Sequence, residues 1–371
     1  PSITGWRLRR RPVNSIYSRF YPNKGRRMPE LKVVDPGLFA SIQDAGRFGF
    51  RRFGVPWSGV LHPDAAKLAN ALAGNPLEAA VLEFFQSGMV LQLTEGVLRL
   101  AVVGDCLLNL KRGAERRVFR SGRSIKLLPG DTLQIGRIHS GKVGYVAVYG
   151  GFDLPPVMGS RATYLRAGFG GLNGDLLRAG SVLPVAAAVD AGANRHLPVS
   201  NPAADHDVPP HDARPAMTIR LIMGPQDDYF TSAARHLLLS EVYRISHDSD
   251  RMGCRLVGPH LAHDPDKGAE IISDGLVPGA IQVPGSGAPI VLLADGPTVG
   301  GYPKIATVIS ADLPTLATMM PGAELRFAAV TVEESEEILR TSRAAFAARL
   351  EAIETLPAVC EPFDELPGGT G

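Results

Sequence analysis

Cysteine is nearly absent: Cys106, Cys254 and Cys360 are the three in 371 residues, and they form no CxxC pair. So sparse and odd a set excludes a disulfide framework and a cysteine-based zinc cluster, and it suits a reducing compartment. Aromatic residues are few, at 6%. No run approaches the roughly eighteen apolar residues that a membrane-spanning helix needs, so a cytoplasmic protein without a membrane contact is expected. Acidic residues are missing from positions 1–28, where eight basic side chains stand alone. Setting that segment aside turns the formal charge of +2 into 31 basic against 37 acidic residues. A body of that sign offers no surface to nucleic acid. Also missing are a GxxxxGK[ST] phosphate loop, a GxSxG elbow, an HExxH helix and a Met-Lys-Met biotin site. Their absence argues against a free-standing ATPase, a serine hydrolase, a zinc protease and a carrier of its own biotin.

Glycine and proline, by contrast, are abundant, at 41 and 30 residues. Frequent turns favour short strands over long helices, and the 45% apolar content can bury a substantial core. Residues 1–30 read as a disordered basic extension, with Met28 as the natural start. A β unit is expected over 31–190, with strands at Met89–Leu93, Val97–Val103, Ser124–Leu127, Thr132–Ile135 and Tyr145–Val148. Pro63 opens a helix that Gly74 closes. Residues 184–216 have the Ala, Pro and Asp content of a linker, which is placed at 191–216. A second β unit follows over 217–330. Thr331-Val332-Glu333-Glu334 starts a helix by a capping box, which gives a helical segment over 331–355 and a tail over 356–371.

The two β units echo each other. Gly37-Leu38, Ile42-Gln43 and Gly46 correspond to Gly275-Leu276, Ile281-Gln282 and Gly285. Leu128–Ile135 likewise corresponds to Met320–Phe327. Two matches in the same order indicate duplicated units, and a crevice between such halves is a usual ligand site.

The segment Gly275–Ser310 concentrates the chemistry. A buried strand over Pro289–Ala294 delivers Asp295 to a loop, and Gly300-Gly301-Tyr302-Pro303-Lys304 follows. Asp295 is a proton acceptor or the group that holds Lys304, Lys304 an oxyanion stabiliser or base, and Tyr302 a further donor. The plain alternative is a tight hairpin with a solvated lysine. Gly300 and Gly301 let the backbone approach a ligand. Arg251 and Arg255 suit a carboxylate or phosphate, unless they pair with Asp248 or Asp250. Gln226 and Gln282 read an amide or bond a loop backbone. His206, His211, His260 and His263 lie in proline-containing loops and read as solvated residues, so no metal is assigned. Gly168–Gly174, GFGGLNG, lacks the spacing of a dinucleotide fingerprint and reads as a tight or mobile loop near the cleft.

Gly275–Ser310, GPQDDYF at Gly224–Phe230 and SDRMGCRLVG at Ser249–Gly258 resemble the family that includes the carboxyltransferase domain of urea carboxylase and the C-type subunit of bacterial 5-oxoprolinase. Gly54–Asn75 is similar to the family's GVPxSGxxDxxxxxxANxLxGN segment, with Ser58, Asn70 and Asn75 matching and His62 standing where the family shows Asp. Gly296–Val299 departs from the family's QTT wording. The resemblance implies a mainly β fold of two related cyclophilin-like β-barrel subdomains with peripheral helices. It implies substrate contacts at Ser58, Asn70, Gln226, Arg251, Arg255, Gln282, Gly300 and Gly301. It also implies a 5-oxoprolinase subunit that opens 5-oxoproline to glutamate with companion subunits, the B-type companion most directly, and with ATP reached through the complex. Two alternatives remain: a carboxyltransferase using biotin on a separate carrier, and a regulator that antagonises a sensor-kinase inhibitor.

Overall fold

The computed structural model describes residues 28–186, 194–197 and 215–355. The basic extension over 1–27, most of the expected linker, His206, His211 and the tail over 356–371 lie outside the described residues. The chain is mainly strand, as its turn content requires. The amino-terminal half contains β1 (Glu30–Asp35), β2 (Ala40–Gln43), helix α1 (Pro63–Ala73), β3 (Val81–Phe85), β4 (Met89–Glu95), β5 (Leu98–Val103) and β6 (Leu107–Arg112). It continues with β7 (Glu115–Arg120), β8 (Arg123–Leu127), β9 (Thr132–Ile135), β10 (Val143–Val148), β11 (Val182–Pro184) and β12 (Arg195–His196). Strand β12 falls inside the segment expected to be linker.

The carboxy-terminal half runs through β13 (Met217–Met223), α2 (Ser232–Ser240), β14 (Val242–Ile245), β15 (Gly253–Val257), β16 (Asp274–Gly275) and β17 (Ala280–Gln282). Then come β18 (Ile290–Leu292), β19 (Val299–Gly300), β20 (Lys304–Val308), α3 (Leu313–Thr318), β21 (Glu324–Ala329), α4 (Val332–Glu351) and β22 (Glu354–Thr355).

The amino-terminal half forms two antiparallel sheets, ordered β11-β1-β4-β9-β6-β7 and β2-β3-β10-β5-β8-β12-β22, the second with β22 of the carboxy-terminal half at its edge. Between them lies a core that includes Leu82, Phe84, Leu91, Leu100, Val102 and Val146. The second sheet is covered on its other face too. Val81, Ala101, Val103 and Tyr145 point into a second core shared with α1 and the interior of the carboxy-terminal half. Strand β10 is therefore buried at all six positions, the signature of a strand packed on both faces.

The carboxy-terminal half closes into a seven-stranded barrel, β13-β20-β17-β18-β15-β14-β21, with β13 and β21 parallel. Strand β17 lies between β18 and β20, so the 295–304 connection is not the hairpin expected from its sequence. It crosses over, and on its way β19 pairs with β16 in a separate ribbon.

The internal echo has a structural counterpart. Asp131 N donates to Leu128 O at 3.0 Å and Ala323 N donates to Met320 O at 3.0 Å, so each Pro-Gly turn is closed alike before β9 and β21. Gly130 and Gly322 take φ of 91° and 85°, where a side chain would be strained.

Candidate functional site

The family-like loop over 54–62 is clamped between the halves. Ser58 adopts φ 54°, uncommon for a non-glycine residue, and its N–H donates to Ala294 O at 3.0 Å. That bond sets the loop against the residue before Asp295. His62 then caps α1: its Nδ1 accepts from Ala65 N at 3.3 Å, with Pro63 following as first helical residue. The Asp expected here would serve the same capping function, which explains how the imidazole substitutes. Burial, the main cause, lowers the His62 pKa, consistent with a neutral ring that accepts.

Asp295, 5% exposed, does not meet Lys304. Its Oδ2 accepts from Arg251 Nε at 2.8 Å and its Oδ1 lies 3.4 Å from Arg251 Nη2. The remaining Arg251 donors bond Gly59 O and Glu83 Oε1. Glu83 Oε2 accepts from Leu61 N at 2.9 Å and from Tyr145 Oη at 2.8 Å, and Tyr145 Oη accepts from His62 N at 2.8 Å. One arginine thus joins a carboxylate from each half. Burial opposes its charge, yet Glu83 and Asp295 outweigh that and raise the Arg251 pKa, keeping it a cation. Burial and Glu83 together push the Tyr145 phenol well above its usual range, so it remains a donor.

Lys304 is also 5% exposed, and its Nζ bonds Asp274 Oδ2 at 2.6 Å. Asp274 sits on the β16–β19 ribbon, and the Lys304 bond is the main cause that lowers its carboxyl pKa. Gln226 Oε1 accepts from Lys304 N at 3.2 Å, and Gln282 Nε2 donates to Tyr302 O at 3.2 Å, so both glutamines hold the loop backbone. Gly300 packs closely here: a Cβ would stand 2.8 Å from Leu276 Cδ1 and 2.9 Å from Gln282 Nε2, so both side-chain ends would have to shift. Gly301 O accepts from Ile271 N at 2.8 Å, which ties the same loop to the chain before the ribbon. Tyr302 is 42% exposed, at the surface of this loop.

The expected set therefore divides. Asp295, Arg251 and Ser58 share one centre; Lys304, Gln226, Gln282 and the Gly300–Tyr302 loop share another, joined to the first by the 295–304 connection. Arg251 pairs with neither Asp248 nor Asp250. Arg255 is exposed on β15 and joins neither centre. Asn70 is fully buried on α1, where its Nδ2 donates to Leu77 O and Ala79 O at 3.1 and 2.7 Å and its Oδ1 accepts from Asn75. It braces the chain after α1 rather than facing a ligand.

His260 Nδ1 lies 2.7 Å from Ser286 O and His263 Nε2 lies 3.1 Å from Val283 O, so both imidazoles pin loops; His260 is exposed, as expected, and His263 is half-buried. Among the described residues no group of three or more His, Cys, Asp or Glu is placed to hold a metal ion.

Glu83, Tyr145, Asp274 and Arg47 were not anticipated. Glu83 left a signal, a carboxylate inside the apolar run Ala79–Phe85, which a strand buried on both faces must pair. Arg47 is fully buried; its Nε and Nη2 donate to Val157 O and Ala162 O at 3.1 and 2.7 Å.

A cavity of about 950 Å³ also lies between the halves, walled by His62, Cys106, Arg120, Thr318 and Arg349 among others. None of the candidate catalytic or substrate-binding residues named from sequence lines it, and no buried carboxylate converges on it. The buried ion pairs lie instead at Asp295 and Lys304.

The family model for the carboxyltransferase domain, subdomains A and B, matches residues 53–329. The chain is 35% identical over 310 residues to the C-type subunit of the 5-oxoprolinase of Escherichia coli, covering 82% of this chain and 93% of that one. It is 30% identical over 347 residues to the urea amidolyase of Lachancea kluyveri, covering 88% of this chain and 18% of that enzyme. The solved urea carboxylase of Kluyveromyces lactis superposes with a TM-score of 0.75 at 25% identity, over 91% of this chain and 31% of that one. The chain thus spans nearly all of the bacterial protein and less than a third of either larger enzyme. By the extent of the family match and the identity to these relatives, the chain belongs to the carboxyltransferase-domain family.

Proposed function

We propose that this chain is a subunit of an ATP-dependent 5-oxoprolinase, in which it helps open the lactam of 5-oxoproline to glutamate. The observation that carries the reading is the 35% identity to a C-type 5-oxoprolinase subunit across 93% of that protein's length. A lactam is a stable amide, so hydrolysis needs coupling to ATP. No phosphate loop stands in this sequence, which supports placing the nucleotide on a companion subunit, the B-type one first, at a shared interface. In this reading Asp295 takes a proton from the attacking water and returns it to the ring nitrogen as the C–N bond breaks, and Lys304 donates to the carbonyl oxygen as it gains charge. Both are only 5% exposed, where such interactions are stronger than in water. A cytoplasmic setting belongs to the same reading and is supported by two buried free cysteines, Cys106 and Cys254.

The test is reconstitution. The purified chain alone turns over no 5-oxoproline, and adding the companion subunits restores ATP-dependent consumption; full activity of the chain alone overturns the reading. The second reading, carboxyl transfer from biotin on a separate carrier to a urea-like nitrogen, is supported by the likeness to urea amidolyase at lower identity. It requires a biotinylated protein among the chain's binding partners, and a pull-down without one counts against it.

A further inference from the structure

Three buried cations surround the candidate site, and two are matched by carboxylates: Arg251 by Glu83 and Asp295, Lys304 by Asp274. Arg47 is not. Its Nε and Nη2 bond two backbone carbonyls, and its Nη1, buried, has no hydrogen-bond partner among the described residues. The nearby Asp44 is occupied elsewhere, by Gly46 N, Ser160 Oγ and Arg161 N. A second open group lies on the loop to which the Arg47 backbone is bonded. Ser58 is 4% exposed and its Oγ is unpartnered. Arg47 N donates to Trp57 O at 2.7 Å and Ser58 N to Ala294 O at 3.0 Å, so the chain links Arg47, Ser58 and Asp295 through consecutive backbone bonds. Burial disfavours the Arg47 charge, while Asp44 and then Asp295 favour it through space, neither of them bonding its Nη1.

A buried guanidinium with an open N–H is costly unless something compensates it. A neutral carbonyl would satisfy the N–H and leave the charge; an anion satisfies both, and arginine suits a carboxylate geometrically. We propose that Arg47, with Ser58, binds the carboxylate of the amide substrate, making a carboxylate-bearing lactam the preferred ligand over urea or a plain amide. The proposal rests on the lactam reading above. Phe169, in the glycine-rich loop 168–174, covers the guanidinium at 4.7 Å, so ligand entry requires that loop to shift.

The test is direct binding to the full chain, followed by NMR, of L-5-oxoproline and of 2-pyrrolidinone, the same ring without a carboxylate. Wild type should prefer L-5-oxoproline at least tenfold. Arg47→Gln should lose at least tenfold in affinity for it while changing 2-pyrrolidinone less than twofold. Ser58→Ala should lose affinity in the same sense, and it decides the matter should Arg47→Gln not fold. Equal losses for both ligands, no loss, or no binding by wild type overturns the assignment. Turnover plays no part in this readout: Arg47-dependent carboxylate binding without ATP-dependent hydrolysis would sink the 5-oxoprolinase reading alone.

Discussion

Arg251 and Glu83 come from opposite halves of the chain and meet out of reach of solvent, with side-chain exposures of 6% and 0%. Such a contact holds the halves in one relative position and, through the same guanidinium, fixes Asp295. Buried ion pairs are weak evidence for stability as such, because desolvation offsets their attraction. Breaking one is another matter.

Glu83→Ala leaves Arg251 half-compensated and strips Leu61 N and Tyr145 Oη of their acceptor. The expected loss is about 3–5 kcal/mol of unfolding free energy, typical of removing one partner of a buried pair. Urea denaturation of the two proteins measures it. A loss no larger than that of an exposed pair would show the contact to be dispensable.

Lys304→Met should behave differently. Its partner Asp274 has a side chain 56% exposed, so the released carboxylate is readily hydrated and the protein stays folded. Turnover by the reconstituted complex should fall about 100-fold or more, as for loss of an oxyanion donor. Companion binding should be unchanged, which a regulatory protein without catalytic chemistry would not combine with lost turnover.

Asn70→Ala provides the contrast between a family-matched position that braces and one that binds. It removes the bonds to Leu77 O and Ala79 O in the interior, for about 1–3 kcal/mol of stability. The KM of the assembled enzyme for 5-oxoproline should not move; a large rise in KM at unchanged stability would return Asn70 to the binding site.

His62 supplies a pH test. Its folded pKa lies below the ordinary value because of burial, so the unfolded chain binds the proton more readily. Stability from this residue is complete above the unfolded pKa, about 6.5, and is lost as pH falls towards the folded value. Wild type should therefore lose more stability between pH 7.5 and 5.5 than His62→Asn, which caps without titrating. Parallel thermal melts at the two pH values give the comparison.

Much of this was legible from local chemistry. Pro63 and Gly74 announced α1, Thr331 and Glu334 form both bonds of the expected capping box, and the apolar run before Asp295 became β18. What escaped depended on pairing between distant segments. The 295–304 segment reads as a hairpin because its turns are local, whereas the insertion of β17 between β18 and β20 is decided by register elsewhere. For the same reason the local sequence does not reveal what Asp295 and Lys304 bond: Arg251 and Asp274 are 44 and 30 residues away. The β6–β7 hairpin is not legible because exposed Leu107 and Val118 and the adjacent Arg116 and Arg117 break the alternation.

The most direct measurement is glutamate formation by the assembled complex with wild type and with Asp295→Asn, a substitution of nearly equal volume. Glutamate should appear in step with ATP consumption when wild-type chain is present, and drop about 100-fold or more with the variant even though assembly is intact. Equal rates from the two proteins, or glutamate formed without this chain at all, would contradict a catalytic role for the Asp295 centre.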